Sequence, residues 1–233
     1  VLMFQQTQVG RVVPKYDAFL KIFPTLEHLA QASLGAVIRE WQGLGYNRRA
    51  KLLHQCAQVI VRDYKGKMPE TYSILTTLPG IGPYTAGAIM AFAYNKFIPV
   101  LETNIRTAYL FHFFKNKRDV TDAEILNMVE KTADKSNPRE WYWALMDYGS
   151  YLKRQHKSNI QQSKSHTKQS KFKGSDRQIR GAVIRLLSEK ACTKNIVRKR
   201  LSEFDEFRLE KQLRQLLKEE MIIRRGVKYT LPI

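Results

Sequence analysis

Cysteine is nearly missing from this chain, with only Cys56 and Cys192 among 233 residues. Two thiols so far apart in sequence cannot frame a disulfide-stapled scaffold. Alone they cannot ligate a zinc ion or an iron–sulfur cluster either. They read as ordinary buried thiols in a reducing setting, which suits a cytoplasmic protein (nucleoid-associated if the source is bacterial). Long apolar runs are missing too. None approaches the 18 residues or so that a membrane helix needs, so no membrane is expected among the partners. Val1-Leu2-Met3-Phe4 is apolar but too short and uncharged for a signal peptide. It reads as the middle of a helix, and the sequence is expected to start inside a domain. Acidic side chains are scarce: 21 Asp and Glu face 40 Lys and Arg, a net charge of +19 with a pI near 10.0. That surplus points to a polyanion, and nucleic acid ranks ahead of anionic membrane, acidic protein or a merely solvated surface.

What is present divides the chain. Residues 1–152 hold 18 basic and 13 acidic side chains, a net of +5, and residues 153–233 hold 22 and 8, a net of +14. Hydrophobic residues make up 43% of the chain, enough for a substantial core. Strand signals are lacking up to about Tyr151. Apolar residues there recur at helical spacing over 12–22, 26–30, 34–41, 47–64, 85–93, 104–114, 122–133 and 140–152. Residues 153–175 are basic, Ser- and Gln-rich and poor in apolar side chains. They read as a linker, partly disordered by itself. His156 and His166 lie in it and read as solvated rather than metal-binding. In 176–233, Asp176, Thr193 and Asp205 are placed to cap three helices. Two alternating runs, 221–224 and 227–231, then flank Arg225-Gly226 as a hairpin. The fold class expected is mainly α: an all-helical domain over 1–152, a basic linker over 153–175, and a small winged-helix-like α+β domain over 176–233, with a generic helical dimerisation module as the plainer alternative to the last.

The most informative string is Leu78-Pro79-Gly80-Ile81-Gly82-Pro83-Tyr84-Thr85-Ala86-Gly87. Two glycines around one apolar residue permit a tight turn that exposes backbone N–H groups. A helix begins straight after it and adds its positive end. Such a hairpin can hold a DNA phosphate through Gly80, Gly82 and Thr85 without a side-chain charge.

Together with Gln5-Gln6-Thr7-Gln8-Val9, Trp41-x-Gly43-Leu44-Gly45-Tyr46 and Leu145-Met146-Asp147-Tyr148-Gly149, this string resembles the helix-hairpin-helix DNA glycosylases of the MutY-like, adenine-mismatch kind. The motifs occur in the family's order and cover about residues 1–152. The resemblance implies a monofunctional hydrolase, active as a monomer on double-stranded DNA that contains a mismatch or oxidised guanine. It would remove adenine mispaired with 8-oxoguanine or guanine. Tyr84 stands where bifunctional relatives carry a lysine, so no Schiff-base route is open. The target base must be flipped from the duplex, and an oxocarbenium-like sugar must be stabilised. In Val100-Leu101-Glu102-Thr103-Asn104, Glu102 occupies the position of the family's aspartate and Asn104 that of its helper asparagine. Glu102 is one methylene longer than that aspartate, and a plainer reading makes it a helix-entry acid. Gln5, Gln6 and Thr7 match the family's wedge, and Leu44 and Tyr46 its probes of the opposing base, although helix packing would also explain the last two. Arg48, with Asn47, Arg49 and Lys51, is a candidate for phosphate contacts. Asp147 matches the family's buried, site-organising acid, or merely caps a helix.

The chain also departs from the family. Val1 falls in the register of the glutamate that protonates the leaving adenine, so activity is expected to be impaired, and Val1→Glu with Glu102→Asp is expected to recover turnover. After Gly149 there is no cysteine until Cys192, too few for the family's four ligands, so no iron–sulfur cluster and no metal is expected, though a monovalent cation at the hairpin is left open. The basic segment 153–175 is expected to lie on DNA in place of the cluster loop. The C-terminal segment is expected to meet duplex through 206–219 and Arg224-Arg225. Two alternatives stay open: a mismatch-binding protein without catalysis, and a thymine or uracil mismatch glycosylase.

Overall fold

A computed structural model describes residues 1–156, 160–165 and 171–233. Its helices follow the apolar periodicity closely, and local chemistry explains most of their ends. A single 3₁₀ turn, Leu2–Phe4, replaces the expected helix interior at the start. Then come α1 (Val9–Ile22), α2 (Leu26–Gln31), α3 (Leu34–Glu40) and α4 (Arg48–Tyr64). Thr25 caps α2 by accepting from the His28 N–H, and Ser33 caps α3 by accepting from Ala36. Lys65 ends α4 in the left-handed region. Next are α5 (Tyr72–Leu75), α6 (Pro83–Phe92), α7 (Thr103–Phe113), α8 (Asp122–Thr132) and α9 (Pro138–Gln155). Pro83 and Pro138 sit in the first turns of α6 and α9, where a missing N–H is harmless. Thr121 and Glu124 form a capping box on α8.

The C-terminal residues form α10 (Asp176–Glu189), β1 (Cys192–Thr193), α11 (Lys194–Arg200), α12 (Glu206–Lys218), β2 (Ile223–Arg225) and β3 (Lys228–Thr230). The sheet is antiparallel in the order β1-β3-β2, with Tyr229 opposite both Cys192 and Arg224. Gly226 turns the hairpin at φ +58°. Three helices, a first strand inserted after α10 and a terminal hairpin are the winged-helix arrangement expected. Thr193 and Asp205 cap α11 and α12 as anticipated. Asp176 does not cap α10. The cap position is Ser175, and the Asp176 carboxylate instead accepts from Arg208 (2.5 Å) and Gln212 (3.0 Å).

Packing divides the described residues into two compact units: Val1 with Pro69–Gln169, and Leu2–Met68 with Ser170–Ile233. In the first, Val100, Ile105, Leu110, Val120, Ile125, Val129 and Tyr142 form the core. In the second, Phe19, Val37, Ile38 and Trp41 share a core with Ile179, Ile184, Leu187, Leu213 and Leu231. Leu2–Met68 thus pack with the C-terminal helices, a grouping the boundaries at 152 and 176 do not reflect. Gly35 permits this: its N–H donates to the Pro232 carbonyl at 2.8 Å, and a Cβ there would lie 2.2 Å from the same oxygen.

Within 153–175 the described residues are more structured than the composition suggests. Helix α9 runs on to Gln155, and Ile160–Gln162 is a 3₁₀ turn. Val120 and Ser163 form a parallel bridge, and Arg106 contacts both Asp122 and Ser163. Apolar content is a poor guide here because polar bonds hold residues 160–165. His166 and residues 157–159 and 167–170 lie outside the described residues.

Candidate active site and nucleic-acid contacts

In the hairpin, Leu78 and Ile81 are buried and anchor the turn. Gly80 has φ +75°, a conformation few other residues tolerate. Gly82 is the N-cap of α6 and is exposed, and a Cβ there would meet nothing within 4 Å. Open backbone at a helix start is the arrangement that admits an anion. Thr85 itself is buried, so any part it plays in phosphate binding falls to its backbone.

One turn into α6, Gly87 allows close packing: a Cβ on it would lie 2.3 Å from the Val100 side chain. Val100 leads into Glu102, and Tyr84 falls within electrostatic reach of that carboxylate. Glu102 caps α7, accepting from the N–H groups of Asn104 (2.6 Å) and Ile105 (2.7 Å). The helix-entry role therefore falls on the residue that stands beside Tyr84. Burial pushes its carboxyl above the usual carboxylate range, opposed by the two N–H bonds and by the ammonium of Lys153. The Tyr84 hydroxyl is pushed up to about 12, by burial first and then by the Glu102 charge, so it stays protonated.

Lys153 is the residue that motif reading passed over. Its Nζ donates to the Asn104 Oδ1 at 2.6 Å. Burial lowers its pKa, while Glu102 holds it up. Four residues earlier on α9, Gly149 lies against the backbone of Asn104, where a Cβ would come within 2.0 Å of the carbonyl oxygen. Residues four apart share a helix face, so Gly149-x-x-x-Lys153 was the available signal. Tyr84, Glu102, Asn104 and Lys153 thus form one polar cluster. Asp147 does not join it. It is exposed on α9 rather than buried, because the helix turns Gly149 and Leu152 inward instead.

The remaining candidates belong to the other unit. Gln6 is exposed at the tip of a turn, with φ +53°. The turn is held from below by Arg49, whose guanidinium donates to the carbonyls of Leu2 (2.7 Å), Gln5 (2.6 Å), Leu44 (3.1 Å) and Gly45 (3.0 Å) and to the Thr7 hydroxyl (3.0 Å). Arg49 is buried, so it is a structural clamp and not a phosphate contact. Lys51 likewise bonds to Glu219 and Glu220. Arg48 is exposed. Leu44 is 4% exposed within the core, which corrects its expected role as a probe of the opposing base. Tyr46 remains exposed, and its hydroxyl accepts from Arg177 at 2.9 Å. The clamp thus draws Gln5, Gln6, Thr7, Leu44 and Tyr46 together, with Gln6 and Tyr46 outward and Leu44 inward.

The chain matches the HhH-GPD superfamily of base excision DNA repair proteins over residues 1–206. It belongs to that family. It is similar to the adenine DNA glycosylases of Mycobacterium tuberculosis H37Rv (47% identity over 104 residues, 45% of this chain and 34% of the relative) and of Buchnera aphidicola subsp. Baizongia pistaciae (34% over 173 residues, 72% and 48%). The chain thus spans between a third and a half of these curated relatives. Two solved structures share its fold. One is a thermostable thymine-DNA glycosylase, with a TM-score of 0.59 at 23% identity, covering 67% of this chain and 74% of the other. The second is a trapped endonuclease III–DNA covalent intermediate, with a TM-score of 0.55 at 17% identity, covering 66% and 71%.

The cysteines of this family member do not fit a four-thiolate cluster. Cys56 is buried in α4 and Cys192 in β1, and burial raises the Cys56 thiol to about 11. Thiolate ligands are the opposite case.

Proposed function

We propose that this protein hydrolyses the N-glycosidic bond of adenine mispaired with 8-oxoguanine or guanine in duplex DNA, as a monomer and without an iron–sulfur cluster. The observation that carries this reading is the Glu102 carboxylate, half-buried beside Tyr84 and Asn104 at the start of α7 in an HhH-GPD chain. An ionised carboxylate in a partly dry site stabilises the cationic sugar far better than it would in water. The N–H bonds from Asn104 and Ile105 and the nearby charge of Lys153 favour that ionised form against burial. With Oδ1 of Asn104 taken by Lys153, its amide N–H groups are the part left to position water or the sugar. The protonated Tyr84 offers a hydroxyl rather than an amine, so departure of the base is assigned to hydrolysis. The exposed turn at Gln6 supplies the wedge for the gap left by a flipped base.

Val1 carries no acid for the leaving base, and Glu102 is longer than aspartate, so turnover should be slow. A labelled-duplex assay tests this, with A:8-oxoguanine, A:G, T:G and U:G pairs treated with alkali after incubation. Cleavage at adenine supports the proposal, and cleavage only at T:G or U:G replaces it with a pyrimidine-mismatch glycosylase. Binding without product, persisting in the Val1→Glu, Glu102→Asp variant, would sink the active-site assignment.

A further inference from the structure

The ion pairs of the C-terminal helices sort their cations into two sets. On α11, Lys194 lies 2.9 Å from Glu210, and Arg198 contacts both Glu210 and Glu206. Arg208 on α12 holds Asp176 at 2.5 Å, and Arg180 on α10 contacts Glu219. These cations neutralise neighbouring acids and fasten α10, α11 and α12 to one another. Lys211, Arg214 and Lys218 differ. All three are exposed, and none makes an ion pair among the described residues.

Their spacing is the second observation. With Phe207 they stand at i, i+4, i+7 and i+11, a single stripe along α12. The opposite stripe, Leu209, Gln212, Leu213 and Leu216, is buried. Phe207 is 72% exposed, which is unusual for so large an apolar ring on a helix that has a core to face. The stripe runs about 16 Å at the rise of an α-helix. The β2–β3 hairpin adds exposed Arg224, Arg225 and Lys228 around Val227, itself 68% exposed.

Helix α12 is the second of two successive helices after β1. In helix-turn-helix proteins that element enters the major groove, with backbone contacts around it. Duplex DNA presents about one negative charge per 1.7 Å of axis, a density that a row of unneutralised cations complements. An apolar ring among them matches contact with thymine methyls or sugar edges. A protein partner would meet the same cations without such a dense run of charge.

We propose that the outer face of α12 (Phe207, Lys211, Arg214, Lys218) and the β2–β3 hairpin form a duplex-DNA surface of their own, one that holds undamaged double helix irrespective of any lesion. It is independent of which base the protein excises, and its test reads binding rather than excision.

The experiment uses the full chain and a fluorescein-labelled, lesion-free duplex oligonucleotide, with anisotropy titrations at a series of salt concentrations. The triple variant Lys211→Ala, Arg214→Ala, Lys218→Ala is compared with wild type and with Lys21→Ala, Lys67→Ala, Arg185→Ala, which removes the same charge from exposed sites elsewhere. Circular dichroism confirms that all three proteins are folded. The face variant is expected to bind on the order of 10- to 100-fold more weakly at low salt. Its slope of log K against log salt should fall by about 2 to 3, near 0.9 per lost phosphate contact, while the control retains most of the slope. Unchanged binding by the face variant overturns the proposal. Equal losses in both variants also overturn it, since bulk charge would then suffice. So does unchanged duplex affinity accompanied by altered self-association of Phe207→Ala in sedimentation, which would make the face a protein-docking surface.

Discussion

At the scale of single residues, the N-cap role of Glu102 and the catalytic role proposed for it make conflicting demands. As an N-cap it needs only an acceptor oxygen, and as a catalytic carboxylate it needs a charge. Burial raises its folded pKa, so the charge costs stability once the pH exceeds that value, and the cost disappears below the unfolded value. Glu102→Gln keeps the acceptor and removes the charge. Base release should fall on the order of 100- to 1000-fold, while the melting temperature at neutral pH stays level or rises. A clear drop in thermal stability would mean that the charge itself is structural. Lys153 is a positioning residue for this carboxylate. Without the ammonium, the Glu102 pKa rises further, so in Lys153→Met the acid limb of the single-turnover pH–rate profile should move to higher pH. Lys153→Arg should restore it. A profile unmoved by Lys153→Met would remove Lys153 from the site.

At the scale of elements, close approach and a buried cation decide what the motifs can do. Helix α9 can lie on the start of α7 because Gly149 has no side chain. Gly149→Ala must push α9 away from the Asn104 carbonyl and should destabilise the protein by about 1–3 kcal/mol, read as a lower urea midpoint. Arg49 is the corresponding point in the N-terminal segment. Arg49→Met strips several carbonyls of a charged donor and should cost about 3 kcal/mol or more, with proteolysis near Gln6 as a second readout. Both elements show why the sequence was only partly legible. Apolar periodicity marks where helices lie, since burial of a stripe is a local pattern, and α1–α4 and α6–α12 appear nearly as read. The 3₁₀ turn at Leu2–Phe4, short α5 and two-residue β1 carry too few residues to leave a period. The surroundings of Arg49, Lys51, Leu44 and Asp147 were not legible for another reason. Whether a side chain on an amphipathic helix meets core, carbonyls or solvent depends on distant chain that no local window contains. The juxtaposition of Glu102, Tyr84 and Asn104 was legible because the hairpin and the short run from Val100 fix them locally.

At the scale of the whole molecule, charge and thiol chemistry dominate. The excess of +14 beyond residue 152 lies partly in pairs that hold the helices together and partly on exposed positions. The salt dependence of DNA binding should therefore be smaller than the cation count suggests. A cluster-free protein should also purify colourless, with no bound iron by elemental analysis. Stoichiometric iron with visible absorbance would overturn the proposal that it works without a cluster.

The contact between Gly35 and Pro232 bears on inheritance. Positions near opposite ends of the chain share one hydrogen bond with no room for a methyl group between them, so neither can drift alone. Lineages that acquire alanine at position 35 should carry a compensating change at 231–233, and correlated substitution between these sites would record that constraint.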